Sequence, residues 1–155
     1  MNEIKFQFVN FNDVESINLI ADWYFNEWNI PIQNTKDKIK SFKDNNSQFQ
    51  IIMTLDNIPI STAGLYHSVG LTEKEPRFKI YKHWLALVYT VPEYRKNGFG
   101  ALICEKIQEH SKEIGINDIY LYTHTAEPLY IRLHWHIIER IELNNKKIVV
   151  MKKEL

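Results

Sequence analysis

The sequence predicts an α/β protein, a central twisted mixed sheet of about seven strands with about four helices. Three observations carry that expectation. Segments of period-two and period-3.6 hydrophobicity follow one another in the order β-α-α-β-β-β-α-β-α-β-β. A glycine turn, Arg95 to Gly100, stands between an apolar strand-like run and an amphipathic helix. Apolar residues make up 45%, aromatics 13% and charged residues 25% of the 155, which suits one globular domain spanning 1–155 rather than a disordered chain.

In chain order, Glu3 to Val9 alternates as a first strand with Ile4, Phe6 and Phe8 on one face. Asn12 is placed to cap a helix, with Glu15 three positions later and a stripe of Val14, Ile17, Ala21, Tyr24 and Trp28. Thr35 is placed to cap a shorter helix through Lys43 that turns Ile39 and Phe42 inward. Phe49, Ile51, Met53 and Leu55 then alternate, Asp56-Asn57 turns the chain, and 58–69 returns as the partner strand. The polar stretch 70–77, with Gly70 and Pro76, reads as a loop before a central strand over 80–91. A helix runs from the glycine turn to Ile114, where Gly115-Ile116-Asn117 stops it. Ile119 to Thr123 is a short strand, 126–133 a short helix, and 135–143 with 147–153 a hairpin turned by Asn144-Asn145.

The chemistry concentrates at the glycine turn. A strand ending at Pro92 and a helix starting at Phe99 aim free backbone N–H groups, with Arg95 and Lys96, at one small volume, and that arrangement suits a phosphate or pyrophosphate. Gly98 and Gly100 let such a ligand approach the backbone. Neither a dinucleotide fingerprint, which needs a glycine where Ile103 stands, nor a P-loop, which needs Gly-Lys-Ser/Thr, fits these residues. Lys and Arg number 19, as do Asp and Glu, so no net field draws in a nucleic acid or an anionic membrane. One cysteine, Cys104, excludes an internal disulfide. With no apolar leader or membrane-length run visible, the expected location is cytoplasmic. His134 and His136 form a His-x-His pair on an expected strand, but without a third ligand no metal is expected.

The spacing Arg-x-x-Gly-x-Gly after a Val-Pro strand end resembles the GCN5-related N-acetyltransferase (GNAT) family. So do Thr123 to Trp135, similar to the family's stretch ending in Tyr-x-x-Leu-Gly-Phe/Trp, and the order of elements. The resemblance implies a sheet with splayed central strands and acetyl-CoA as donor. It implies that Val88, Tyr89 and Thr90 pair with the pantetheine arm and that Arg95, Lys96, Asn97, Gly98, Phe99, Gly100 and Ala101 grip the pyrophosphate. Thr123 stands where many members carry a cofactor-contacting asparagine, and His134 where a glycine is usual. Tyr130 falls on the position that often serves as general acid.

The family often places a carboxylate base in the region 79–92, and this sequence has none there. His83, His124 and Glu127 are the candidates for a base, His83 and His124 foremost because an imidazole titrates in the useful range. Trp23, Glu27 and Trp28 offer an aromatic and acidic wall to an acceptor amine. The expected activity is direct transfer of acetyl to a small-molecule or peptide amine, by a monomer or homodimer. The alternative is a catalytically silent acyl-CoA-binding regulatory module of the same fold.

Overall fold

The computed structural model describes residues 2–155 and is built on one seven-stranded sheet of order β1-β2-β3-β4-β5-β7-β6. Its strands are β1 (Ile4–Phe8), β2 (Phe49–Leu55), β3 (Ile58–Tyr66), β4 (Trp84–Thr90), β5 (Asp118–Thr123), β6 (His136–Leu143) and β7 (Lys146–Glu154). The helices are α1 (Val14–Trp28), α2 (Ile32–Lys40), α3 (Gly70–Lys74), α4 (Phe99–Glu113) and α5 (Glu127–Arg132). All strand pairs are antiparallel except β4 with β5.

The central strands are buried on both faces, and that explains where simple alternation falls short. On one face α4 and α5 bring Ile103, Ile107 and Tyr130 against Ile51, Leu65, Leu85 and Leu121. On the other, α1 and α2 pack Ile17, Ile20, Tyr24 and Ile39 on Ile52 and Tyr89. In β2 four successive residues, Gln50 to Met53, are therefore buried, instead of every second one. Farther along this face Leu71 and Phe78 close over Trp84 and Val150.

Several expected details shift. Asp13, not Asn12, caps α1, its carboxylate accepting the Ser16 N–H at 3.2 Å. Val14 is exposed, and Ile20 is the buried member that the expected stripe lacks. The second helix begins after Pro31, which suits a first-turn position, and Thr35 lies buried inside it. The stretch 70–77 is not a loop. It forms α3 and the start of a 3-10 helix over Pro76–Ile80, since Pro76 lacks an N–H where a helix start needs none. The central strand consequently begins at Trp84 rather than near Ile80, which is exposed. Of the His-x-His pair only His136 stands in a strand, as the first residue of β6, whereas His134 lies in the turn after α5, so the two do not share a strand face.

Two irregularities open the centre of the sheet. Ala86 pairs with Gly64 and Tyr89 with Thr62, so Leu87 and Val88 together oppose Ala63 in a bulge, where Leu87 takes a left-handed φ of 53°. The parallel pairing of β4 with β5 is confined to Trp84 and Tyr120, with the Tyr120 N–H donating to the His83 carbonyl at 2.8 Å. Beyond that point β4 stays with β3 and β5 with β7, and the two strands diverge.

Candidate active site

The turn between β4 and α4 is shaped by backbone more than by side chains. Lys96 (φ 66°) and Gly98 (φ 83°) both adopt left-handed conformations, and Gly98 caps α4 without a side-chain hydrogen bond. Asn97 spends its amide on the carbonyls of Tyr94 and Arg95, at 3.1 and 3.0 Å, and so rigidifies the turn instead of facing a ligand. A Cβ on Gly98 or Gly100 would meet nothing within 4 Å, because both open onto a cleft of about 500 Å³. That cleft is lined by Val88 to Thr90, by Arg95, Lys96 and Gly98 to Ala101, and by Leu129 and Arg132 from α5. Successive free N–H groups at a helix start, beside Lys96 and Arg132, give it a lining suited to an anion.

Arg95 is already held. Its Nε donates to the Thr90 carbonyl at 2.7 Å, its Nη2 pairs with Glu27 at 3.0 Å, and the guanidinium lies 5.4 Å from the Tyr89 ring centre. Glu27 therefore faces this cleft as the partner of Arg95 and offers no free acidic wall to an amine. Trp23 packs on Tyr89 with ring centres 5.3 Å apart and lines neither cleft. Of the three aromatic and acidic residues expected at the acceptor, Trp28 alone reaches the second cleft, and it lines the first as well.

The second cleft, about 1020 Å³, lies on the other side of the divergence between β4 and β5. Leu85 to Val88 form one wall and Leu121 to Ala126 another, with Tyr130 between them and α2 and α3 closing the far side. Val88 lines both clefts, so they meet at the bulge.

A buried polar network that no local pattern announces holds this bulge. The Tyr24 hydroxyl donates to the Leu87 carbonyl at 2.8 Å and accepts from Gln50 Nε2 at 3.0 Å. Gln50 also donates to Thr62 Oγ1 and accepts the Tyr66 hydroxyl proton at 2.6 Å. Gly64 leaves room for it, since a Cβ there would come within 2.6 Å of Gln50 Oε1. Burial pushes both phenols far above the ordinary tyrosine range, so they act only as neutral hydrogen-bonding groups. A lone glutamine in an apolar strand was the available signal.

Tyr130 is 7% exposed, packs on Trp135 and lies beside Cys104. Desolvation first, and then the neighbouring thiol, hold its phenol well above the usual range, while burial pushes the Cys104 thiol up to about 12. The Thr123 hydroxyl accepts the Ala126 N–H at 3.0 Å and so closes the turn that leads to α5, while Thr123 lines the second cleft. His134 takes φ 67° and keeps the turn that a glycine would allow, with the Trp135 N–H donating to the Tyr130 carbonyl at 3.0 Å.

The three candidate bases separate. His124 lines the second cleft, and its Nδ1–H donates to the Lys147 carbonyl at 2.9 Å, which leaves Nε2 as the unprotonated nitrogen of the neutral ring. His83 lines neither cleft and stands 5.2 Å from the ring of His67. Burial and then Lys82 lower its pKa. Glu127 is bound through both oxygens by Arg140 at 2.9 Å, which holds its carboxyl below the usual range. No helix among the described residues is long and apolar enough to cross a membrane.

Comparison with known proteins agrees with this fold. No curated protein matches the chain significantly in sequence. Among solved structures, aminoglycoside 6'-N-acetyltransferase from Enterococcus faecium superposes with TM-score 0.74 at 14% identity, covering 97% of this chain and 96% of that one. The structure of yncA from Salmonella typhimurium with its cofactor acetyl-CoA gives 0.72 at 11% identity, over 98% and 94% of the two chains. A variant of spermidine N-acetyltransferase from Vibrio cholerae gives 0.71 at 11% identity, over 97% and 93%. These likenesses establish the shared fold. The family model described as acetyltransferase (GNAT) family matches residues 15–135, which take in the glycine turn, the bulge and Tyr130, and the chain therefore belongs to that family of acetyltransferases.

Proposed function

We propose that residues 1–155 act as one domain that transfers acetyl from acetyl-CoA to an amine by direct attack in a ternary complex. The observation that carries this reading is the meeting of two clefts at the Leu87–Val88 bulge, one a backbone-built anion site and the other walled by side chains. Solved relatives of the fold hold acetyl-CoA or coenzyme A, and two are named for amine acceptors, which supports donor and acceptor class alike.

The backbone N–H groups from Gly98 to Ala101, with Lys96 and Arg132, bind the pyrophosphate. Val88 to Thr90 align the pantetheine arm along β4, with Thr123 across from them at the end of β5. Backbone freed from the ladder at the bulge donates to the acetyl oxygen as it gains charge. The amine nitrogen attacks the thioester carbon, the C–S bond breaks, and the Tyr130 hydroxyl gives its proton to the departing sulfur. His124 Nε2, directly or through water, takes the proton that the amine loses. Burial keeps the Tyr130 phenol protonated, as a proton donor must be, while making its transfer to the sulfur more uphill than from an ordinary tyrosine.

Thiol release from acetyl-CoA with primary amines tests the reading, together with the mass of the protein after exposure to acetyl-CoA alone. Direct transfer gives acceptor-dependent thiol release and an unchanged protein mass. An acetylated protein that passes its acetyl to the amine would overturn the mechanism. Tight acetyl-CoA binding without release for any amine would favour the regulatory alternative.

A further inference from the structure

The charge on the walls of the second cleft is the reverse of what a polycationic acceptor needs. Lys38 from α2, Lys74 from α3 and Lys146 from β7 line it, against one carboxylate among the described residues, Glu73. Glu73 is already occupied. It accepts the Ser68 hydroxyl proton, and that bond, followed by the charge of Lys79, holds its carboxyl below the usual range.

Of the three lysines, Lys38 alone is not exposed. It is half-buried, its Nζ donates to the Ser68 carbonyl at 2.8 Å, and it lies 5.3 Å from the centre of the Tyr66 ring. It makes no salt bridge among the described residues. Burial lowers its pKa although Glu73 pulls the other way, so the ammonium has lost water without gaining a bonded counter-charge. An anion arriving in this cleft would restore what burial removed.

Resting on the acetyltransferase reading, we propose that the acceptor is a small amine that carries an anionic group, which Lys38 binds while the amine reaches the thioester beside Val88 and Tyr130. Lys74 and Lys146 add a field of the same sign, and the cleft repels polyamines and aminoglycosides. A carboxylate and a phosphate would both satisfy Lys38.

The test pairs each anionic amine with its neutral counterpart in the thiol-release assay: phenylalanine with phenylalaninamide, and ethanolamine phosphate with ethanolamine. Spermidine and kanamycin serve as polycations. At least one anionic member is expected to exceed its partner in kcat/KM by on the order of 10–100-fold, the worth of a charge-assisted hydrogen bond. The pair that shows it identifies carboxylate or phosphate. Lys38→Met, which keeps the apolar stem over Tyr66, should erase that ratio chiefly through KM, and Lys38→Arg should keep it. The proposal is overturned if spermidine or kanamycin is the fastest acceptor, if neither anionic amine is preferred, or if Lys38→Met keeps the ratio. Calorimetry with acetyl-CoA separates the two levels. No binding sinks the transferase reading itself, whereas binding with no turnover of either anionic amine sinks only this inference.

Discussion

The two clefts are built from different materials. The first cleft draws its shape mainly from one stretch of chain, Val88 to Ala101, with α1 and α5 at its margins, and its free donors are mainly backbone. The second cleft gathers side chains from α1, α2, β3, α3, β4, β5, α5 and the β6–β7 turn. A backbone site is indifferent to most side-chain deletions and intolerant of added bulk. A side-chain site is the opposite: single truncations retune it, and it can change its ligand while the fold stays.

The sharpest way to break this contrast is to add bulk where the backbone must be approached. Gly100→Glu, at an ordinary helical position open to the cleft, should abolish acetyl-CoA binding in calorimetry while circular dichroism shows a folded protein. Undiminished affinity would place the pyrophosphate elsewhere. Next in size, Tyr130→Phe deletes one hydroxyl on the side-chain half. Turnover should fall on the order of 10²-fold with acetyl-CoA affinity unchanged, and less so when the leaving thiolate is made less basic. A wild-type rate with chemistry limiting would make Tyr130 a packing residue.

Tyr24→Phe probes the seam between the two halves, since it removes the donor to the Leu87 carbonyl and leaves Gln50 short of an acceptor. Urea unfolding should show a loss of about 1–3 kcal/mol, with turnover lowered together with stability. Unaltered turnover would mean that the bulge holds its shape unaided. The smallest expected effect is acid-side. Burial lowers the folded pKa of both His67 and His83 beneath the ordinary imidazole value of about 6.5, so below about that pH the unfolded chain takes up protons first and stability falls. Above it both states are neutral at these residues and nothing is gained. His67→Gln with His83→Gln should flatten the decline in Tm between about pH 6.5 and 5; an unchanged slope would assign it to other groups.

What the sequence made legible follows the same division. The turn from Arg95 to Gly100 could be read because its function depends on residues a few positions apart, and Asn144-Asn145 could be read because both take positive φ in a two-residue hairpin turn. Residues 70–74 were hidden: Gly70 and Pro76 signal a loop, yet Leu71 and Thr72 are buried, and tertiary packing settles a helix of one turn there. Leu87 carries no local mark of a left-handed conformation, because Tyr24 fixes its carbonyl from 63 positions away. Glu27 and Lys38 were equally opaque in role. Only the fold shows that the carboxylate has its own arginine and that the ammonium forms no salt bridge among the described residues.

The bond from Tyr24 to Leu87 also orders events in time. Its network joins the first helix to strands β2, β3 and β4, so closing it requires several long loops to have shut first, and such contacts pay their entropy late. Refolding chains should therefore regain helix signal before the bulge is set, and catalysis should return last of all. Turnover during refolding becomes a clock for the final closure of the sheet, one that fluorescence, which reports the bulk of the core, does not read.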